Sequence, residues 1–133
     1  MQLQVSTKYA IRILQYIHLH SRDLLSATTI SSAIGVTYPY FLKIAILLRR
    51  HGLLDAVQGR HGGYMLAKPA TEISVYDIFL AVEGELQLSR CLADEQYCNR
   101  VGIGKCSTHD YFLALQNDVA TLLSRKCLAD FAQ

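Results

Sequence analysis

Apolar residues recur at three- and four-residue steps in five stretches of this chain, and polar or glycine signals bound most of them. Tyr9, Ala10, Ile13, Leu14 and Ile17 form the first stripe, which predicts a helix capped by Ser6 or Thr7 and running through His20. Ser26 can cap a second, shorter helix with Ala27, Ile30 and Ile34 on one face. Gly35 follows, where a left-handed residue without a Cβ commonly ends a helix. Thr37 can cap a third helix from Tyr38 to Arg50, with Pro39 tolerated in a first turn whose N–H would be unpaired anyway. There Phe41, Ala45 and Leu48 face inward, while Tyr38, Leu42, Lys43, Ile46, Arg49 and Arg50 lie nearer the outside, and Gly52 closes the helix. Leu53 to Val57 and Tyr64 to Ala67 then suit short strands around the link Gln58-Gly59-Arg60-His61-Gly62-Gly63. Beyond Pro69, Ser74 begins a short helix with Val75, Ile78, Phe79 and Val82 suited to burial, ended by Gly84. Ser107-Thr108-His109-Asp110 has the form of a capping box, and Tyr111, Phe112, Leu115, Val119, Leu122 and Leu123 continue as one long stripe, either core or a dimer seam.

A helix pair joined at a glycine is by itself no more than a common hairpin. Followed at once by two strands around a glycine-rich tip, it becomes a winged helix-turn-helix, in which the second helix of the pair enters the major groove of DNA. The fold class expected is therefore mainly α with a small β-wing and a long C-terminal helix. Contacts to DNA are expected from Thr37, Tyr38, Tyr40, Lys43 and Arg49 on the recognition helix and from Arg60 and His61 on the wing. Lys8, one turn from Arg12 on the first helix, can reach the DNA backbone, and Lys43 and Arg60 suit phosphate contacts. The glycines of the tip allow its backbone to approach another surface.

Composition supports this through its distribution. The 133 residues fit one domain, with 51% hydrophobic and 18% charged residues, a mean hydropathy of +0.19 and a net charge of only +2. Residues 1–70, however, carry eight Lys or Arg against Asp23 and Asp55, a net +6, while residues 71–133 carry five against nine acids, a net −4. The basic half is the half with the helix-turn-helix, where cations neutralise phosphate. With no signal-peptide pattern and no apolar run long enough to span a bilayer, the expectation is a cytoplasmic protein with no membrane partner. There the cysteines are expected as reduced thiols or metal ligands. No nucleotide loop or nucleophile–base order marks an enzyme.

Cys91, Cys98, Cys106 and His109 fall within nineteen residues. Gly102 and Gly104 allow the loop between them to fold tightly, and Arg90, Arg100 and Lys105 place positive charge nearby. Thiolates with an imidazole suit an iron–sulfur cluster or zinc, and a metal-free loop with reversible thiol chemistry stands beside them. Cys127 is expected in the last helix in a structural role.

Ser6-Thr7-Lys8-Tyr9-Ala10, the helix and turn from Ile30 to Gly35, Tyr40, Gly52-Leu53 and Gly59-x-x-Gly62-Gly63-Tyr64 occur in order with little insertion, and together they resemble the Rrf2 family of bacterial transcription regulators. The resemblance covers nearly the whole chain. It implies a DNA-binding homodimer, expected to be a repressor, on a roughly two-fold operator. Residues 1–84 would form the winged DNA-binding domain, 85–109 a cysteine-containing sensor loop, and 110–133 the dimerisation helix and C-terminus. Iron–sulfur members of the family place three cysteines in this segment, and its cluster-assembly regulators follow the third with two residues and a histidine. On that match Cys91, Cys98, Cys106 and His109 would ligate a cluster, a [2Fe–2S] centre, sensing redox, nitric oxide or iron–sulfur status. The alternative is a cluster-free regulator responding to a small molecule, a partner protein or thiol oxidation. The chain departs from that pattern in two places. Six and seven residues separate the cysteines, slightly more than is usual, and Pro39, Leu42 and Gln58 stand where those regulators carry base-reading polar residues. The operator is therefore expected to differ.

Overall fold

The computed structural model describes residues 3–98 and 106–131, with the Glu95 side chain left aside. Its helices are α1 (Val5–Leu19), α2 (Ala27–Ile34), α3 (Tyr38–Arg50), α4 (Val75–Glu83) and α5 (Ser107–Arg125), and its strands are β1 (Leu54–Val57) and β2 (Gly63–Leu66). The mainly helical fold with a small antiparallel wing expected from the sequence is the fold observed.

Two of the expected caps form as read. The Ser26 hydroxyl accepts from the Thr29 N–H at 3.1 Å, and the Thr37 hydroxyl accepts from the Tyr40 N–H at 3.3 Å. Gly35 takes φ +81° and donates to the Ser31 carbonyl, ending α2. The chain then turns so that α3 lies 108° from α2, inside the range of a DNA-binding helix-turn-helix. Phe41, Ala45 and Leu48 are buried as expected, and Ile44 joins them. They pack with Ala10, Ile13, Leu14 and Ile17 of α1, Ile30 of α2 and Ile78 of α4 in one core. Among the described residues no single helix is long and apolar enough to cross a membrane.

The wing is shifted by one residue from expectation. Leu53 donates to the Leu48 carbonyl and closes the end of α3, so pairing starts at Leu54↔Leu66 and runs to Val57↔Gly63. Leu25, just before α2, exchanges hydrogen bonds with Tyr64 and adds a bridge on the other side of β2.

Three local expectations are corrected. Neither Ser6 nor Thr7 caps α1, because the helix begins at Val5 with Gln4 at the cap and no side-chain capping bond. Thr7 is instead buried and donates to Glu83 of α4, whose other oxygen accepts from the Gln4 N–H at 3.2 Å. A carboxylate from a distant helix thus takes the place of a local hydroxyl, where negative charge also suits the helix dipole. The Ser107 capping box does not form either: α5 starts one residue earlier than a Ser107 cap would allow, with Cys106 at the cap and no side-chain cap bond. Cys127 lies beyond α5, not within it, and pairs as an isolated bridge with Ser74.

That bridge begins a return of the chain into the core, where Leu128 is fully buried. Asp130 fastens the turn by accepting from the Cys127 N–H at 2.9 Å. This bond, with Cys127 and the Lys126 charge adding to it, holds the Asp130 carboxyl below its ordinary value. A depressed carboxylate favours the fold above its ordinary range, and that contribution is lost as pH falls through the lowered value. Acid unfolding followed by circular dichroism should therefore show a smaller loss of stability on acidification in Asp130→Asn than in the parent.

Candidate nucleic-acid interface and cysteine segment

The exposed face of α3 and the wing lie side by side. Tyr38 is 51% exposed, Ile46 is 47% exposed, and Lys43, Arg49 and Arg50 are exposed, while Leu42 is half-buried. A cleft of about 230 Å³ between helix and wing is lined by Tyr38, Arg49, Val57, Gln58 and Gly59. Thr37 is exposed, but its hydroxyl serves the cap. Tyr40 turns its ring toward α1, edge-on to Tyr9 at 5.8 Å between centroids. Lys8 and Arg12 sit over the same Tyr9 ring at 5.1 and 5.8 Å, so the basic face of α1 is joined to the first turn of the recognition helix. Arg60 and His61 are exposed at the wing tip, which closes through Gly62 N–H to the Gly59 carbonyl at 3.0 Å. Among the described residues none of these lysines and arginines forms an ion pair with a carboxylate, so their charge is available to phosphate.

The wing glycines have a different job from the one expected. A Cβ on Gly62 would collide with the Val57 carbonyl, and one on Gly63 would lie 2.7 Å from the Leu25 carbonyl oxygen. Their close approach is to the protein's own backbone. Only Gly59, at φ +104° with open space around it, is a free tip position.

Cys91 lies in a short 3-10 turn, Arg90–Leu92, which packs against α5. Its Sγ is 3.2 Å from the Ser89 hydroxyl. Cys98 follows the turn Glu95–Tyr97 and is half-buried. Cys106 caps α5, and His109 lies in the first turn of that helix with its side chain 11% exposed. The His109 Nδ1 is 3.4 Å from the Asp110 carboxylate. With the ring proton on Nδ1, facing that carboxylate, the Nε2 lone pair would be the donor for a metal, which is the usual arrangement of ligating histidines. The donor set fits a soft metal centre by its chemistry. Among the described residues, however, no three His, Cys, Asp or Glu side chains gather closely enough to hold a metal. Gly102, Gly104, Arg100 and Lys105 lie outside the described residues. The Leu88 N–H donates to Gln116 at 3.0 Å and ties the start of this segment to α5.

Over residues 3–133 the chain matches the Rrf2 family, described as an iron-dependent transcriptional regulator. It belongs to that family. It is 30% identical over 131 residues to the HTH-type transcriptional regulator IscR of Yersinia pseudotuberculosis, covering 98% of this chain and 78% of that protein. It is 35% identical over 91 residues to protein aau3 of Rhizobium meliloti, covering 68% of this chain but only 59% of aau3. Among solved structures it superposes on T. potens IscR with a TM-score of 0.73 at 23% identity, covering 98% and 85% of the two chains. It superposes on CymR, the global cysteine regulator of B. subtilis, with a TM-score of 0.75 at 19% identity, covering 99% and 96%. At those identities the superpositions speak for the fold. As an Rrf2 protein this chain is a DNA-binding transcriptional regulator, and its relatives are regulators, not enzymes.

Two residues that support the candidate interface escape the sequence patterns. Glu83 positions the end of α1 that carries Lys8, and Leu25 holds β2 in place. Each acts across a long sequence separation, so no spacing rule marks it.

Proposed function

We propose that this Rrf2 regulator is a cytoplasmic homodimer that represses transcription from a roughly two-fold operator. Its proposed signal is redox, nitric-oxide or iron–sulfur status, received in the segment before α5. The observation that carries the dimer is α5 itself. None of its nineteen residues is buried, and Tyr111, Leu113 and Leu122 are exposed by 63, 41 and 59%. An amphipathic helix that packs on α4 yet keeps large apolar side chains exposed in this way suits pairing with the same helix of a second copy.

Cys91, Cys98, Cys106 and His109 are the residues that would hold an iron–sulfur cluster. When bound, that group supplies sensitivity to oxidants, nitric oxide and iron supply. The chain supplies the route from there to DNA. The Cys91 turn packs on α5, α5 packs on α4, and α4 packs on the recognition helix, so a change in the segment's packing can reach the angle between two recognition helices. A dimer must match two half-sites about one helical turn apart, so a small change of angle alters operator affinity.

Protein purified without oxygen should carry iron and sulfide in stoichiometric amounts, and Cys106→Ala should lose both together with signal-dependent operator binding. Retention of iron and of regulated binding in Cys106→Ala would overturn the ligand assignment. A cluster-free regulator responding to thiol oxidation, a small molecule or a partner protein is favoured by one observation, that the Cys91 and Cys106 thiols are only half-buried and so within reach of an oxidant. Colourless protein whose operator binding responds to a thiol oxidant would support it.

A further inference from the structure

The outward face of α3 has an unusual composition for a helix that reads bases. Its N-terminal turns, Tyr38 to Leu48, read YPYFLKIAILL, with no arginine, no amide and no carboxylate and with Lys43 as their single charge, while Arg49 and Arg50 stand in the last turn, away from the N-terminal end that meets base edges. The side chains along that face are Tyr38, Leu42 and Ile46, one turn apart, with Pro39 and Lys43 beside them. Guanine is read in the major groove by the fork of an arginine or by a lysine, adenine by an amide, and cytosine by a carboxylate. Lys43, the one such candidate in those N-terminal turns, also lines a cavity of about 420 Å³ with Gln4 and Ser6 of the α1 end, on the flank of the helix and not along its outer stripe. The only apolar group that base pairs display in that groove is the C5-methyl of thymine.

We propose that α3 reads thymine methyl groups, so that the half-site beneath it is built on A·T pairs whose thymines face Tyr38, Leu42 and Ile46. This rests on the DNA-reading role of α3. Charge places DNA rather than a protein partner on this face: Lys43, Arg49 and Arg50 are exposed on the same helix, Arg60 is exposed at the wing tip, and none of them forms an ion pair with a carboxylate among the described residues. The wing points the same way, since narrow A·T minor grooves attract an inserted arginine, and Arg60 with His61 is exposed at the tip. Specificity then comes from apolar contact in one groove and from groove width in the other.

The test begins with selection of duplexes from a random pool by the full-length protein purified without oxygen. Thymine is then replaced by uracil, which removes only the methyl, at each position of the selected half-site. Each contacted methyl should weaken binding about fourfold when removed, and uracil elsewhere should leave affinity unchanged. Ile46→Ala and Tyr38→Ala change exposed side chains, so the fold should survive, and each variant should abolish the uracil penalty at its own position. Selected half-sites with G·C pairs under α3 and no uracil penalty would overturn the proposal while leaving sequence-specific DNA reading intact. A pool that shows no enrichment, with binding set by salt alone, would overturn the proposal together with sequence-specific reading by α3.

Discussion

Leu128→Ala is expected to destabilise the protein by about 2–5 kcal/mol, the range found when a buried leucine is truncated in a packed core. A domain of this size is stable by only about 5–15 kcal/mol, so thermal unfolding should fall by roughly 10 °C. The reason is that the last residues are not an appendage of α5. Leu128 is fully buried with Leu14, Ile73 and Ile78, its N–H donates to the Ile73 carbonyl at 2.8 Å, and the Val75 N–H donates to the Lys126 carbonyl at 2.8 Å. Gln15 of α1 donates to the Phe131 carbonyl at 2.6 Å. The C-terminal end of α5 is thereby fastened to the winged core, while Tyr111 and Leu122 along the helix stay exposed. Thermal denaturation checks this directly. An unchanged midpoint in Leu128→Ala would show that the C-terminal turn does not belong to the core.

Local signals carried most of the fold. Ser26 with Thr29 and Thr37 with Tyr40 act within three residues, and both were legible because a cap depends on its own neighbours. The inward stripe of α3 was legible for the same reason. The pattern Ser-x-x-Asp shows where such signals stop. It occurs at Ser74-Val75-Tyr76-Asp77 and at Ser107-Thr108-His109-Asp110, and only the first forms a capping box, with bonds of 2.9 and 3.0 Å. At the second, the backbone enters the helix at Cys106, and the Asp110 carboxylate lies beside His109 instead. The capping of α1 by Glu83 was beyond reach, because Thr7 and Glu83 are 76 positions apart.

The candidate interface was legible in outline. Periodicity exposes Tyr38, Lys43 and Arg49, and the glycine-rich link places Arg60 and His61 at a tip. Tyr40 was harder, since its spacing does not reveal that Tyr9 of α1 takes its ring. The cysteines were harder still. A ligand set becomes a site only when separate segments fold onto one another, and spacing along the chain does not state which of Cys91, Cys98, Cys106 and His109 will meet.

Gly63→Ala should destabilise the protein by about 1–3 kcal/mol through overpacking, and should weaken operator binding by roughly tenfold, equivalent to about 1.4 kcal/mol. The added methyl would lie 2.7 Å from the Leu25 carbonyl oxygen, 2.9 Å from its carbon and 3.0 Å from the Leu25 nitrogen, all backbone atoms with little freedom to yield. Relief requires β2 to move away from Leu25, which breaks the Tyr64 N–H to Leu25 bond of 2.8 Å and its longer partner of 3.4 Å. Tyr64 packs edge-on against Phe41 at 5.1 Å, so a displaced β2 also disturbs the buried side of the recognition helix. The wing and α3 would then meet DNA in the wrong relative position, and Arg60 could no longer reach its groove while α3 occupies its own. Gly59→Ala separates this from a simple loss of tip flexibility. Gly59 has a positive φ but no neighbour within 4 Å, so its substitution strains the tip by about 1–3 kcal/mol without shifting the base of the wing. Thermal unfolding and DNA titration of both variants check the difference. Equal losses of affinity in the two would place the wing's contribution in its tip alone, whereas a much larger loss in Gly63→Ala would place it in the strand that joins tip, Leu25 and Phe41.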